Sequence, residues 1–184
     1  MEKANKWISE YIENINLEKI EWIKLNSSEL NNFIRENYLD EDTWQYVRDE
    51  NVNSLYPTLL GMHYLNLDNS INNRAYSFLL GIVDNNIGKK TIVGATIYLD
   101  EYFIFTDQES PLTYISTMEV NSYFRNRGIY KKMCEVLIKF VNQNQHIITT
   151  MQSEIGLKCH VFEILKKELE KSGFKNYIFE DSYH

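Results

Sequence analysis

The sequence predicts an α/β protein with a mixed, mostly antiparallel central sheet that is flanked by helices. Two observations support this prediction. A pair of strand-like segments is joined by a short polar turn, and helical and strand-like patterns alternate along the rest of the chain. The 184 residues are 43% hydrophobic and 24% charged, a balance typical of globular proteins and not of disordered ones. We therefore expect residues 1–184 to form a single domain.

The N-terminal part of the chain is predicted to contribute helices and one strand. Apolar residues at helical spacing indicate an extra N-terminal helix over about residues 3–15. This helix is expected to pack in the core or, as an alternative, to contact a second copy in a homodimer. Residues 20–25 are typical of a strand, and Ser27 or Ser28 can cap the helix that follows it. A further helix is expected over about residues 41–50.

The middle of the chain is predicted to form a hairpin. Residues 51–73 have no clear pattern, but residues 75–83 and 91–99 are typical of strands, and the Asn and Gly residues of Asp84–Gly88 suit a turn between them. The two strands should therefore pair antiparallel. Residues 100–111 carry four carboxylates, which we interpret as a solvated strand end and loop, with a cationic substrate site as the alternative.

Strands and helices alternate in the second half. A strand over residues 114–120 leads to a helix that begins near Ile129, where apolar residues recur at steps of three and four. A strand over residues 146–151 follows, and then a long helix that should stop at Gly173, because glycine suits the residue just after a helix. Residues 176–179 form the last predicted strand.

The turn between the strand and the helix, Arg125-Asn126-Arg127-Gly128, has a chemical signature. Its glycine can take a backbone conformation that is closed to other residues. A turn of this kind leaves the first N–H groups of the helix unpaired, at the positive end of the helix dipole. The sequence therefore predicts an anion site, best suited to phosphate, at this helix start.

In this context Val120-x-x-x-x-Arg125-x-x-Gly128-x-Tyr130 resembles the acyl-CoA signature of the GNAT superfamily of N-acetyltransferases. Gly173-Phe174 matches the usual end of the family's fourth helix. The resemblance implies the GNAT acyl-CoA N-acyltransferase fold, with acetyl-CoA as co-substrate and its pyrophosphate held by the amides of the turn. The cofactor-binding residues that it implies are Met118, Glu119, Val120, Arg125, Asn126, Arg127, Gly128, Ile129 and Tyr130.

Two positions depart from the family pattern. Tyr130 stands where the family has Gly or Ala, so its side chain must point away from the cofactor or the site is altered. Leu169 stands where many members carry the tyrosine that protonates the departing thiolate, and no tyrosine lies between Lys131 and Asn176 to replace it. An alkyl thiol, with a pKa of ~8.5, still leaves tolerably without such help.

The catalytic candidates lie on the strand of the motif. Acetyl transfer to an amine needs a base and N–H groups that stabilise the thioester oxygen. Glu119 and Tyr114 are the candidate catalytic residues, with Ser116 as a further one. Tyr114 stands where relatives resembling the histone-acetylating branch carry a glutamate. Successive strand residues face opposite sides, so the sequence leaves open whether Glu119 faces the site or is a rim carboxylate. His146 and His160 are expected to be structural.

The resemblance implies an N-acetyltransferase that moves an acetyl group directly from acetyl-CoA to an amine of a small molecule or peptide. Leu169 and Tyr130 motivate an alternative, a GNAT-like module that binds acyl-CoA without turnover. A structural or dimerising protein without the cofactor is a third hypothesis.

Composition and motifs limit the other partners. The net charge of −7 disfavours nucleic acid and favours cationic or amine ligands. No apolar run suits a signal peptide or a membrane span, so we expect a cytoplasmic location and no membrane partner. Cys134 and Cys159 lie in helical patterns, which predicts buried reduced thiols. Without an HExxH motif or paired CxxC motifs, no metal is expected.

Overall fold

A computed structural model describes residues 2–38, 76–102, 112–141, 146–149, 158–174 and 177–179. Its strands form one sheet in the order β1-β2-β3-β4-β5-β6. Neighbours from β1 to β4 pair antiparallel, whereas β4 with β5 and β5 with β6 pair in parallel. The predicted mixed, mostly antiparallel sheet is therefore confirmed. The strands are β1 (Glu21–Asn26), β2 (Tyr76–Asp84), β3 (Lys90–Tyr102), β4 (Leu112–Val120), β5 (His146–Thr149) and β6 (Tyr177–Phe179).

The described helices are α1 (Glu2–Tyr11), α2 (Ser27–Asn37), α3 (Ile129–Phe140) and α4 (Lys158–Lys171). The N-terminal helix ends four residues earlier than predicted, because Asn14 takes a left-handed conformation with φ of 59°. The tip of the β2–β3 hairpin also caps this end of α1. The side-chain amide of Asn86 donates to the carbonyls of Ser9 and Glu13, both at 2.9 Å.

The cap of α2 differs from the prediction, whereas the stop of α4 matches it. Asn26, rather than Ser27 or Ser28, caps α2: its Oδ1 accepts from the amide of Glu29 at 2.9 Å, and Glu29 Oε2 accepts from the Asn26 amide at 2.8 Å. This reciprocal capping box satisfies both amides. After α4, Gly173 has φ of 84°, as expected of a glycine stop.

Both faces of the sheet are covered by helices. On one face, α1 and α2 pack against β2 and β3 in a core that includes Trp7, Tyr11, Leu30, Ile34, Phe78, Leu80, Ala95 and Ile97. On the other face, α3 and α4 pack against the sheet in a core that includes Leu79, Tyr98, Ile115, Cys134, Leu137, Leu165 and Leu169. The apolar face of α1 is thus buried in the core, and the homodimer stays a prediction.

Several predictions lie outside the described residues. These are the helix near residues 41–50, the segment 51–73, the carboxylate side chains of residues 100–111, and the side chains of His146 and Cys159. Cys134 is buried and unpaired, as predicted. None of the described helices is long and apolar enough to cross a membrane.

Candidate active site

Strand β4 is paired along its length with β3 but only along its first half with β5. Its partners in β5 run from Leu112↔His146 to Ile115↔Thr149, whereas its pairing with β3 continues to Gly94↔Val120. Among the described residues, the β5 side of the later half of β4 therefore has no strand beside it. The backbone N–H and C=O groups on such an edge can bond a ligand laid along the strand.

Strand β4 contains a bulge at Ser116. Ile97 of β3 pairs with Thr117, but the next residue, Tyr98, pairs with Ile115, so Ser116 has no residue opposite it. A bulge of this kind inserts one extra residue into one strand and shifts the side-chain alternation that follows. It therefore decides which face each later residue of β4 presents.

Because of the bulge, Tyr114 and Glu119 lie on the same face of the sheet. Tyr114 pairs with Leu99 and Glu119 with Ala95. Leu99 and Ala95 are four residues apart on β3, an even number, and directly paired residues share a face. Ala95 belongs to the core under α1 and α2. Tyr114 and Glu119 thus face the side of α1 and α2, about 13 Å apart along the strand at ~3.3 Å per residue.

The Glu119 carboxylate is largely buried and lies beside a single described cation. Its side chain is 16% exposed, and its Oε1 is 3.8 Å from Arg125 Nη2. Burial raises the pKa of Glu119 above its ordinary value, and the Arg125 guanidinium partly opposes that rise. A carboxylate with a raised pKa is a better proton acceptor near neutral pH than an exposed one.

Asn121 anchors the chain where β4 ends, a role that the sequence analysis missed. It is fully buried, and its amide donates to Val93 at 2.9 Å while its Nδ2 donates to the Ile92 carbonyl at 3.1 Å. Its Oδ1 accepts from the amide of Tyr123 at 3.1 Å. Asn is a frequent turn former, so its position directly after a strand was the sequence feature from which this role could have been predicted.

The turn that was predicted to bind an anion is exposed and lies between two buried residues. Phe124 before it and Ile129 after it are buried, whereas all four residues from Arg125 to Gly128 are exposed. Asn126 and Gly128 are both left-handed, with φ of 63° and 75°. The predicted glycine conformation is confirmed.

Gly128 is also the N-cap of α3, and its carbonyl accepts the amide of Lys132 at 3.1 Å. The amides of the first three residues of α3 precede this first intrahelical bond and point out of the helix start. With Arg125 and Arg127 exposed beside them, the turn suits an anion.

Tyr130 points toward β4 and away from the exposed turn. Its hydroxyl lies 3.7 Å from Met118 Sδ, and its ring packs against the core under α3 and α4. Burial, with Cys134 nearby, raises the pKa of Tyr130 well above its ordinary value, so the hydroxyl keeps its proton at neutral pH. The Tyr130 ring therefore does not cover the outer surface of the turn, and the backbone of the turn faces outward there.

In α4, the position where the family pattern has tyrosine is occupied by Leu169, which has no hydroxyl. Leu169 is fully buried in the core under α3 and α4. His160 is exposed at the start of α4. The described residues include no group of three or more His, Cys, Asp or Glu arranged to hold a metal.

The sequence matches no family model, and no curated protein is similar to it. Its fold, however, is similar to that of a solved acetyltransferase. A mixed, mostly antiparallel sheet flanked by helices, with a glycine turn between β4 and α3, matches the fold that the GNAT resemblance implied. The chain therefore has the fold of the GNAT acetyltransferases.

The particular similarity that supports this fold is to an aminoglycoside acetyltransferase, meta-AAC0020, from an uncultured soil metagenomic sample, solved with trehalose. The two are 15% identical, the match covers 91% of this chain and 99% of that one, and the TM-score is 0.50. A possible acetyltransferase from Clostridium difficile 630 is 14% identical, with 90% and 93% covered and a TM-score of 0.47. The aminoglycoside N-acetyltransferase AAC(6')-Iy, solved with CoA, is 11% identical, with 94% and 97% covered and a TM-score of 0.46.

Proposed function

We propose that the protein is an N-acetyltransferase that moves an acetyl group from acetyl-CoA directly to an amine. The observation that supports this most is that strand β4 continues directly into the turn at the start of α3. Strand β4, whose later half has no described strand on its β5 side, runs through Asn121 into a left-handed turn that starts α3. If the thioester of acetyl-CoA lies along the edge of β4 that no described strand covers, the pyrophosphate of the coenzyme would lie at the exposed amides of this turn.

In this proposal the turn holds the phosphates and β4 holds the thioester. The amides of Asn126 to Tyr130, with the exposed Arg125 and Arg127, bind the pyrophosphate. The backbone N–H groups near Met118 to Val120 stabilise negative charge on the thioester oxygen as it develops. Backbone donors on a paired strand are already fixed in place, so they need no rearrangement during the reaction.

The chemistry needs one proton acceptor. Glu119, directly or through a water, removes a proton from the substrate ammonium, and the free amine attacks the thioester carbonyl. The C–N bond forms and the C–S bond breaks, which yields an amide and the CoA thiolate. The second proton released by the nitrogen balances the charge of the thiolate. With Leu169 buried in α4, we propose that the thiolate leaves without an acid from that helix.

The acceptor is proposed to be a cationic amine. The net charge of −7 favours such a ligand, and the fold similarity that reaches a TM-score of 0.50 is to an aminoglycoside acetyltransferase. A panel of amines for screening should therefore include aminoglycosides, polyamines and peptides with free N-termini.

Thermal denaturation with CoA and with acetyl-CoA tests the cofactor first. We expect both to raise the melting temperature, because a ligand that binds the folded state alone stabilises it. No shift at millimolar ligand would contradict the proposal. Gly128→Glu, which brings a carboxylate to the phosphate turn, should abolish the shift, and an unchanged shift would mean that the turn is not the phosphate site.

Thiol release from acetyl-CoA across the amine panel then separates an enzyme from a binding module. The buried Leu169 favours this second candidate, a protein that binds acyl-CoA without turnover. Cofactor binding without thiol release for any amine would support the binding module. Amine-dependent thiol release with a matching acetylated product would support the enzyme.

A further inference from the structure

We propose that Arg125 is a positioning residue that couples the cofactor to the base. Its guanidinium pairs with Glu119 in the free protein and transfers to the pyrophosphate when acetyl-CoA binds, which releases the carboxylate. This inference rests on the proposed function, since it takes the turn as the phosphate site. It adds that the state of the Glu119 carboxylate depends on whether the phosphate site at the turn is occupied.

The two side chains of the ion pair, Glu119 and Arg125, differ in how freely they can move. Glu119 is on a paired strand and its side chain is 16% exposed, whereas Arg125 opens the turn and its side chain is 48% exposed. The contacts of Arg125 are long: Nη2 lies 3.8 Å from the Glu119 carboxylate and Nε donates to the Val120 carbonyl at 3.4 Å. Arg125 can therefore leave, while Glu119 stays in place.

A pyrophosphate is a stronger partner for Arg125 than this carboxylate. It carries two negative charges, and a guanidinium can bind phosphate oxygens through two parallel, short, charge-assisted bonds. The amides at the start of α3 would hold the same group, so the phosphates arrive next to Arg125 without further rearrangement. We therefore expect the cofactor to compete successfully for the guanidinium.

Release of Arg125 changes the affinity of Glu119 for protons. Burial raises the pKa of Glu119, and Arg125 is the described charge that lowers it. When the guanidinium leaves, the pKa rises further, so cofactor binding should be accompanied by proton uptake. By linkage, the cofactor should bind more tightly as the pH falls through the interval between the two pKa values of Glu119. A carboxylate freed from its cation is also the stronger base toward the substrate ammonium.

Calorimetric titration in buffers of different ionisation enthalpy measures this proton uptake. The ligand should be dephospho-CoA, because it keeps the pyrophosphate but lacks the 3′-phosphate, whose own titration would interfere. We expect net proton uptake with the wild-type protein and none with Glu119→Gln, although Glu119→Gln still binds. Arg125→Gln should bind several-fold more weakly and also show no uptake.

Arg127→Gln is the matched control. Arg127 lies two residues away in the same exposed turn, and no ion pair joins it to Glu119 among the described contacts. Its loss should weaken binding while the uptake remains. Arg125→Lys serves as a second variant at position 125 if Arg125→Gln does not fold, since it keeps the charge but loses the paired N–H groups.

The pH profile gives a second readout that a purely structural role would not change. The acid limb of kcat/KM for acetyl-CoA reports the free enzyme, and that of kcat reports the complex. In the wild type, the limb of kcat/KM should lie at lower pH than the limb of kcat, and in Arg125→Gln the two should coincide.

The outcomes separate this inference from the proposed function. If the protein binds neither CoA nor dephospho-CoA, the proposed function fails. If it binds with no proton uptake that depends on Glu119, or if Arg127→Gln removes the uptake as fully as Arg125→Gln, the coupling is overturned while the cofactor site stands.

Discussion

Tyr114 and Glu119 are five positions apart on β4, yet their side chains share one face of the sheet, because Ser116 has no residue opposite it in β3. In a regular strand an odd separation would place them on opposite faces. The bulge thus places both catalytic candidates on the side of α1 and α2. They stand about 13 Å apart along the strand, at ~3.3 Å per residue, so they occupy two different points of that face.

The first prediction concerns which candidate acts as the base. Glu119→Gln should lower kcat by roughly 10²-fold or more, the range found for the loss of a general base, with CoA affinity retained. Tyr114→Phe is the matched control on the same face and should change kcat less than about 3-fold, since Tyr114 stands about 13 Å from Glu119 along the strand, at ~3.3 Å per residue. Steady-state thiol release measures both. A larger loss for Tyr114→Phe than for Glu119→Gln would reverse the assignment.

The second prediction concerns stability and pH. The pKa of Glu119 is raised in the folded protein, chiefly by burial, so the folded state binds a proton more tightly than the unfolded state does. The contribution of Glu119 to the free energy of unfolding therefore falls as the pH rises through its unfolded pKa, ~4.3, toward its folded pKa.

Glu119→Gln removes this ionisation. It should raise the free energy of unfolding at neutral pH, but the gain should vanish at acid pH, where the wild-type carboxyl is protonated. Denaturant titration at several pH values measures the difference. A gain that is constant with pH would mean that packing, and not charge, is responsible.

The third prediction concerns Gly128. Its φ of 75° is unfavourable for a residue with a Cβ, although a Cβ there would meet nothing within 4 Å. Gly128→Ala should therefore cost about 1 kcal/mol in the free energy of unfolding, from backbone strain alone, and should weaken CoA binding. Gly88→Ala is the matched control, because Gly88 has φ of 71° and equally open surroundings at the hairpin tip.

The two alanine variants should lose similar stability in chemical denaturation, but Gly88→Ala should bind CoA as the wild type does. Gly128→Asn should recover part of the loss, since Asn tolerates this conformation and Asn126 of the same turn already adopts it. Equal CoA affinities for the two alanine variants would count against the turn as the phosphate site.

The fourth prediction concerns Tyr130. Its ring packs in the core, and among the described contacts its hydroxyl lies beside two weak hydrogen-bond partners, Met118 Sδ at 3.7 Å and the Cys134 thiol. Tyr130→Ala should cost about 2 kcal/mol in the free energy of unfolding through lost packing, and Tyr130→Phe less than about 0.5 kcal/mol. Neither should alter CoA affinity in folded protein. Tighter CoA binding by Tyr130→Ala would show that the ring obstructs the cofactor.

Local chemistry was enough to predict much of the fold. The β2–β3 hairpin follows from Asn and Gly between two strand-like runs, the start of α3 follows from apolar spacing, and the stop of α4 follows from glycine. The misplaced cap of α2 is also local in origin, because Asn26 and Ser27 are both good caps and the capping box with Glu29 favours Asn26. This error displaces the cap by one or two residues.

By itself, the sequence determined the order of the elements, the turn from Arg125 to Gly128 and the left-handed conformation of its glycine, because each depends on residues close together in the chain. Only the tertiary structure decided which face Glu119 presents and that Arg125 pairs with it. The first depends on the register between β3 and β4, which is a property of two strands and not of one. The direction of Tyr130 and the anchoring of Asn121 to β3 have the same cause, since their partners are distant in sequence and become neighbours only when the sheet and α3 are packed.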